Sequence, residues 1–537
     1  MDSTYNNFDL EVFLRGTVLS SKGVVTLAIT VGILVLVFQF EAYKSDYPRI
    51  AGIPEVPSPL PFVGHLHQLG GRLGKNDGSI YSEWARKVGS PVFQCVLGSQ
   101  RTIVVTDWAT MRSLWVTQAN ALIDRPHQPG FVDKLGIDLT GSCMTDQVRK
   151  CRAAGMRALA KANWPKYYHL LEPSSAKMAS SVYQKGDNGR KPVDVYFYLR
   201  QLVFDLCLSL TYGARFGEVD DEFMINFIAS INAISAVRSS TKYFRHFVPL
   251  LRLIPESNSK TIAAERIRRK HRDVLYNKYN ERVARGETVD CIVASLNDDR
   301  LTEEEVHGTC ISLLQAAPDS VASIMYMAMA WLCSPAGRPT QDQALAAILE
   351  AYGGDRTEAW KNAFREVRVP LIDSITKETL RFFTISPYAT PRRTVQDVTL
   401  PSGVVLPKGI TLIMNAQEVN HDEKHFGADA WTFKPDRFIS GGVGLQHVGF
   451  GAGSRICPAV AISNRIVYAV LVRLLLAFEM EGSTVPGRQP NIDAIDFSDI
   501  YDELVAHPRF YDCHFKARDP VWLEKIVAEE QAAHEMQ

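Results

Sequence analysis

The stretch Phe450-Gly-Ala-Gly-Ser-Arg-Ile-Cys-Pro-Ala459 constrains this chain more than any other. It sets one cysteine, Cys457, between a glycine-rich turn and the mouth of an apolar helix. Gly451 and Gly453 permit a tight turn and a close approach to a flat ligand. Arg455 puts a fixed positive charge two residues from the sulfur. Pro458 suits the first position of the following helix, where a missing N–H costs nothing. The sulfur is thus expected at the positive end of a helix dipole, which favours the thiolate. A lone cysteine beside a turn is more often buried and inert. This setting suits a ligand for a soft, redox-active metal instead, with haem iron the first candidate.

The rest of the chain supports one large single-site enzyme. Its 537 residues are 46% hydrophobic and 22% charged, an ordinary globular balance. No repeat or strong internal linker divides it after the N-terminal region. A formal net charge of +0 argues against a nucleic-acid partner. Nine cysteines, odd in number and without a CxxC pair, disfavour a disulfide framework and structural zinc. A reducing compartment is expected for the catalytic body. Val24 to Phe40 carries no charge and has about the minimum length for a membrane-spanning helix. No small-residue cleavage site follows it, which disfavours a signal peptide. Arg15 and Lys22 before it balance Lys44 and Arg49 after it, so charge alone sets no orientation. Pro54, Pro57, Pro59 and Pro61 then make a stiff, extended connector. The expected division is a tail at 1–23, a transmembrane helix at 24–41, a proline-rich hinge at 42–62 and a catalytic domain at 63–537.

The body reads as mostly α with small β-sheets. Pro91 to Val105 alternates like short strands. Leu400 to Met414 reads as a hairpin, with turns at Pro401–Gly403 and Pro407–Gly409. A long helix and a strand-rich tail are expected after Cys457. Thr302 with Glu305 forms a capping box that opens another long helix, running to about Cys333. In its middle lies Ala316-Ala317-Pro318-Asp319-Ser320, a proline kink beside an acid and a hydroxyl. Alone, that acid and hydroxyl could as well be a solvated kink with local hydrogen bonds. Glu378 and Arg381, three apart in an apolar helix, share a face. Pro435-Asp436-Arg437-Phe438 follows downstream.

Taken together and in this order, these segments resemble the cytochrome P-450 family. Phe450, Gly453, Arg455 and Cys457 match its haem-binding loop F-x-x-G-x-R-x-C-x-G, with Ala459 in place of the last Gly. Residues 316–320 are similar to its oxygen-activation motif A-G-x-D/E-T, with Ala317 for Gly and Ser320 for Thr. Glu378 and Arg381 match E-x-x-R, and Arg437 lies in a P-E-R-F-like motif with Asp for Glu. The resemblance covers roughly residues 55 to 520. It implies haem b (iron protoporphyrin IX) with Cys457 as the iron's ligand, and a structural core of Glu378, Arg381 and Arg437. It implies propionate contacts from Arg455, Arg392 and Arg152. The family often has Trp-x-x-x-Arg where this chain has Val148 to Arg152, so one contact lacks its Trp. Arg149 and Lys150 could belong to a face that docks an acidic redox partner.

The resemblance further implies a monooxygenase that uses O2 and electrons from an NADPH-cytochrome P-450 reductase. No flavin or nicotinamide fingerprint stands in this chain. Asp319 and Ser320 would deliver protons on the distal side. The hinge resembles that of microsomal members, which implies a single-pass anchor in the endoplasmic reticulum membrane with the catalytic domain cytosolic. By family position the substrate pocket takes Phe131, Leu135, Ile137, Leu313, Ala316, Ile385 and Tyr388. That apolar lining points to a hydrophobic, aromatic small molecule. Residues 149–155 and 301–306 are similar to fungal phenylacetate-hydroxylase-like members, whose relatives serve secondary metabolism. Pro318, Ser320 and Val148 tilt the reading toward a fungal pathway oxidase over a phenylacetate-type ring hydroxylase. A haem-thiolate isomerase or dehydratase needing no reductase is the rival class, and a non-catalytic haem protein the last.

Overall fold

The computed structural model describes residues 21–43, 45–126, 136–214, 221–238, 244–253, 259–297, 299–440 and 444–535. Helix α1 (Ser21–Tyr43) covers the predicted uncharged stretch. Its described apolar side chains, from Val24 to Val35, stand in the open, with Val24, Leu27, Ile29 and Leu34 all about half exposed. The hinge prolines run extended, as their fixed φ requires, but not free. Gln94 N donates to the Pro54 carbonyl at 2.8 Å and Val56 N donates to the Gln94 carbonyl at 3.0 Å. The connector is therefore zipped to the edge of a sheet.

That sheet forms where the alternating residues predicted it. Helix α2 (Asp77–Val88) leads into β1 (Val92–Leu97) and β2 (Gln100–Val105), which pair antiparallel. Later come β3 (Arg392–Arg393), β4 (Val398–Thr399), β5 (Val405–Leu406) and β6 (Thr411–Met414). The expected hairpin over 400–414 is corrected in its second half. β4 and β5 do pair across the Pro401–Gly403 turn. β6 leaves them and inserts between β2 and β3, giving the order β1-β2-β6-β3. All four residues of β6 are buried, so it gains more by filling the sheet centre than by extending a two-stranded ribbon.

Helices make the main core. They include α3 (Asp146–Ala158), α4 (Tyr168–Lys185), α5 (Val195–Tyr212), α6 (Glu303–Cys333), α7 (Pro370–Phe382) and α8 (Val460–Ala477). Helix α6 starts and stops where the capping box and Pro335 predicted. Glu305 N donates to Thr302 Oγ1 at 3.3 Å, and Thr302 N donates to Glu305 Oε2 at 2.9 Å. At 1.5 Å per residue its 31 residues make a rod of about 46 Å, long enough to cross a large domain. Helix α8 is apolar enough to cross a membrane, but 78% of it is buried in the fold, so it is a core helix.

The tail departs from expectation. Strands β7 (Phe478–Gly482) and β8 (Cys513–Ala517) pair, but the chain then forms α9 (Pro520–Glu535). Asp519 caps it by accepting from Trp522 N at 3.0 Å. Glu530 clamps it to the core. Buried Arg473 donates to both Glu530 oxygens, at 2.7 and 3.0 Å, and Trp360 Nε1 donates to one at 3.1 Å.

Candidate active site

The Cys457 loop is folded by backbone crowding. Gly453 has φ 66° and lies against the Trp115 carbonyl, where a Cβ would come within 1.8 Å of the oxygen. No other residue fits. Cys457 N donates to the Phe450 carbonyl at 3.1 Å, which closes the turn. Two expectations are corrected here. Pro458 is not the first helical residue: it sits in a turn with Ala459, which is the N-cap of α8. The sulfur is thus one step further from the helix dipole. Arg455 does not hold the thiolate either. Its guanidinium donates to the carbonyls of Ile123, Leu139, Thr140 and Ser142, at 3.0–3.4 Å. The cation that favours ionised Cys457 is Arg152, whose Nη2 bonds the neighbouring Ile456 carbonyl. Burial still outweighs the Ala459 N–H and Arg152, and raises the thiol above its ordinary range. The loop is built to give up that proton to a bound metal, which selects the thiolate.

Three arginines predicted to meet the propionates do converge, and a fourth joins them. Arg392, on β3, donates to the Ala452 carbonyl at 3.0 Å. Arg125 donates to the carbonyls of Thr140, Thr390 and Pro391 at 2.6–3.1 Å. No described carboxylate pairs with Arg125, Arg152, Arg392 or Arg455. Burial depresses all four. Mutual repulsion then adds for three of them, leaving Arg392 at about 9 and Arg455 at about 10. Arg392 Nε and Nη1 and Arg455 Nε are buried without a hydrogen-bond acceptor. Orphaned donors in a cationic cluster cost several kcal/mol unless an anion meets them. The two carboxylates of haem b fit that need. Val148, where the pattern has Trp, is a buried aliphatic with no side-chain donor. Arg125 supplies N–H groups that Val148 lacks. Its sequence gave no sign of this, because it lies in no motif.

Behind the loop, Glu378, Arg381 and Arg437 form a closed knot. Arg381 Nε and Nη2 bond both Glu378 oxygens at 2.7 Å, and Arg437 Nε reaches Glu378 Oε1 at 3.1 Å. Lys434 N adds a fourth bond at 2.8 Å. The spare guanidinium N–H groups go to the carbonyls of Asn420, Ala430, Thr432, Phe426 and Asp429. Glu378 and Arg381 are 0% exposed, so only this complete bonding offsets their desolvation.

In the middle of α6, the segment around Pro318 holds its polar groups differently. Leu313, Ala316, Ala317 and Ser320 form the strip of α6 that is left uncovered among buried neighbours. Ser320 Oγ donates back to the Ala316 carbonyl at 2.8 Å, as serines in helices often do. Asp319 is 8% exposed and lies 2.8 Å from Arg200 Nη2 of α5. The contact is poorly aligned: Asp319 Oδ1 and Arg200 Nε lack a proper hydrogen bond. Arg200 is a residue that no motif announced. Two expected basic-face residues are likewise paired, Lys150 with Glu305 and Arg149 with Asp146, both at 2.9 Å.

The predicted pocket residues separate into groups. Ile137 and Leu313 pack together over Cys151. Ile385 lies in the main core. Its carbonyl accepts from Ala506 N at 2.7 Å. Tyr388 meets Tyr81 edge-on at 6.2 Å and lines a small cavity of about 40 Å³. Phe247, His246, Gln100 and Arg125 line it too. Phe131 and Leu135 lie outside the described residues.

Known proteins match this architecture. The family model for cytochrome P-450 matches residues 54–495. Phenylacetate 2-hydroxylase of Emericella nidulans is 31% identical over 500 residues, 91% of this chain and 94% of that protein. The same organism's 3-hydroxyphenylacetate 6-hydroxylase is 27% identical, over 92% of this chain and 94% of that one. The cytochrome P-450 monooxygenase patI of Aspergillus clavatus is 26% identical, over 91% and 93%. Among solved structures, a zebra fish cytochrome P-450 with abiraterone superposes with a TM-score of 0.65 at 18% identity. The match covers 82% of this chain and 100% of that one, and speaks to the fold.

Proposed function

The chain belongs to the cytochrome P-450 family, a haem b monooxygenase that uses O2 and a redox partner. On that premise we propose that it oxidises a hydrophobic, aromatic small molecule in a fungal secondary-metabolite pathway. The observation that carries the aromatic reading is the match to phenylacetate 2-hydroxylase over nearly the whole chain. The uncovered strip Leu313, Ala316, Ala317 and Ser320 supports it, being apolar but for one hydroxyl already engaged. Asp319, next to this strip, is paired with Arg200, so this part of α6 presents no bare charge. The departures at Val148, Pro318 and Ser320 support a specialised pathway over phenylacetate catabolism.

Each residue's part follows from its setting. Haem b, when bound, supplies the oxygen chemistry. Cys457 Sγ is its metal ligand, and Arg125, Arg152, Arg392 and Arg455 offer N–H groups to its carboxylates. Asp319 holds or passes a proton on the distal side, while Arg200 restrains it. Ser320 must release the Ala316 carbonyl before its hydroxyl can serve. We read residues 24–41 as a single-pass anchor in the endoplasmic reticulum membrane, supported by the exposed apolar surface of α1. The catalytic domain then faces the cytosol, and NADPH-cytochrome P-450 reductase is the electron donor.

The test is turnover by the purified full chain with that reductase. Aromatic and amino-acid-derived compounds are offered alongside phenylacetate. Oxidation of a pathway intermediate supports the proposal. Turnover of phenylacetate alone favours the ring-hydroxylase reading, which the 31% match keeps second. Product formed without NADPH would make it an isomerase or dehydratase.

A further inference from the structure

A histidine–glutamate pair lies within the electrostatic reach of Asp319 and Arg200. His507 Nε2 lies 2.9 Å from Glu503 Oε2, on the loop that precedes β8. This loop is fastened to α6 on both sides of His507. Ser323 Oγ donates to the Ala506 carbonyl at 3.4 Å. Tyr511 N donates to Tyr326 Oη and Tyr511 Oη to the Tyr326 carbonyl, both at 2.9 Å, with the rings stacked 4.2 Å apart. The fastening brings His507 into the field of the distal acid. The charged groups facing it are Glu503 from its own loop, Asp319 from α6 and Arg200 from α5.

Two cations and two anions therefore share one wall, and their competition is unequal. Arg381 grips Glu378 with two aligned bonds, but Arg200 touches Asp319 without one. A charge arriving beside such a pair can shift it. An imidazolium at position 507 attracts Asp319 and repels Arg200. A neutral imidazole does neither, and leaves Arg200 the stronger claimant.

We propose that His507 is a positioning residue: its protonated ring loosens Arg200 from Asp319 and so frees that carboxylate for proton delivery. The proposal rests on Asp319 being the distal acid of the monooxygenase. It also gives Glu503 a role, as the anchor that keeps the ring charged. Burial alone would lower the ring's affinity for a proton. The bond to Glu503 and the field of Asp319 and Glu503 outweigh burial and Arg200, and raise it above the ordinary value of 6.5. A raised group is charged below its own pKa and loses that charge as pH rises through it. Coupling of NADPH oxidation should therefore fail on the alkaline side.

The experiment uses the full chain with its reductase, phenylacetate as the probe, and peroxide released per NADPH oxidised, across about pH 6 to 9. The unmodified chain should show a severalfold rise in peroxide share at the alkaline end. His507→Gln should show the high share at every pH, with no limb. Glu503→Gln should keep the limb but move it down by about one pH unit, because the ring loses its anchor. The thiolate-type Soret band of the reduced, carbon monoxide-bound form checks folding in each. A wild-type limb in banded His507→Gln overturns the inference, and so does an upward shift in Glu503→Gln. Absence of the band from the unmodified chain overturns the haem-thiolate reading beneath it, which is a separate failure.

Discussion

The Glu378 knot and the Asp319 pair are both ion pairs on helices around one site, yet they are built to opposite ends. Glu378 accepts four bonds, and Arg381 and Arg437 spend their remaining N–H groups on carbonyls and on the Asp429 carboxylate. Nothing there can change partner without leaving a buried charge bare. Asp319 and Arg200 meet at 2.8 Å with poor alignment and unspent polar atoms. Complete satisfaction makes a fixed frame for the metal side. Partial satisfaction leaves the distal side able to rearrange when a proton moves.

The contrast can be broken by single changes. Cys457→Ser removes the proposed iron ligand on the fixed side. It should abolish turnover and the thiolate-type band of the reduced, carbon monoxide-bound form. Retention of both would end the whole account. Glu378→Gln removes the knot's central anion and leaves buried Arg381 without a carboxylate, while Arg437 keeps only Asp429 at 2.8 Å. A stability loss of about 3–5 kcal/mol is expected, read by chemical denaturation, together with poor haem retention.

Arg473 and Glu530 sharpen the comparison, because by their bonding they belong with the fixed class. Ending the chain after Arg518 removes α9 and strands Arg473. Stability should fall by about 3 kcal/mol, while the bound-haem spectrum of the surviving folded protein is unchanged. Asp319→Asn tests the mobile class. The protein should fold and hold haem as before, but product formation should drop about 10²-fold. A comparable loss of stability would place Asp319 with the fixed frame instead.

The smallest effect concerns the knot's rim. Bonds from Arg437, and then Lys434, hold Asp429 down to about 2 from 3.8. A depressed carboxylate stabilises above its ordinary range, and that contribution fades as pH falls toward 2. Asp429→Asn should flatten the acid side of the melting-temperature profile and leave the neutral side nearly as it was.

Local chemistry was readable in advance where partners are close in the chain. Thr302 and Glu305 cap a helix three residues apart, and Glu378 and Arg381 share one face for the same reason. Arg437 was reached through its motif. Arg125, Arg200 and His507 were not readable, since each matters only through residues more than a hundred positions away or through several such segments at once. The helix at Pro520 was missed although its Asp519-Pro520 start was visible, because a polar tail gains helical stability mainly from docking, here on Arg473 and Trp360.

The residues in order determined the cysteine loop, the long capped helix with Pro318 inside it, and the internal ion pair. These depend on short-range sterics, hydrogen bonds within a turn or two, and apolar spacing. Only the tertiary structure decided which cation stands by Cys457, that four arginines and not three gather with no described carboxylate in ion-pair contact, and that His507 comes within the field of Asp319. Charge acts through space with little regard to chain distance, so such neighbours exist only once the helices and loops have been packed.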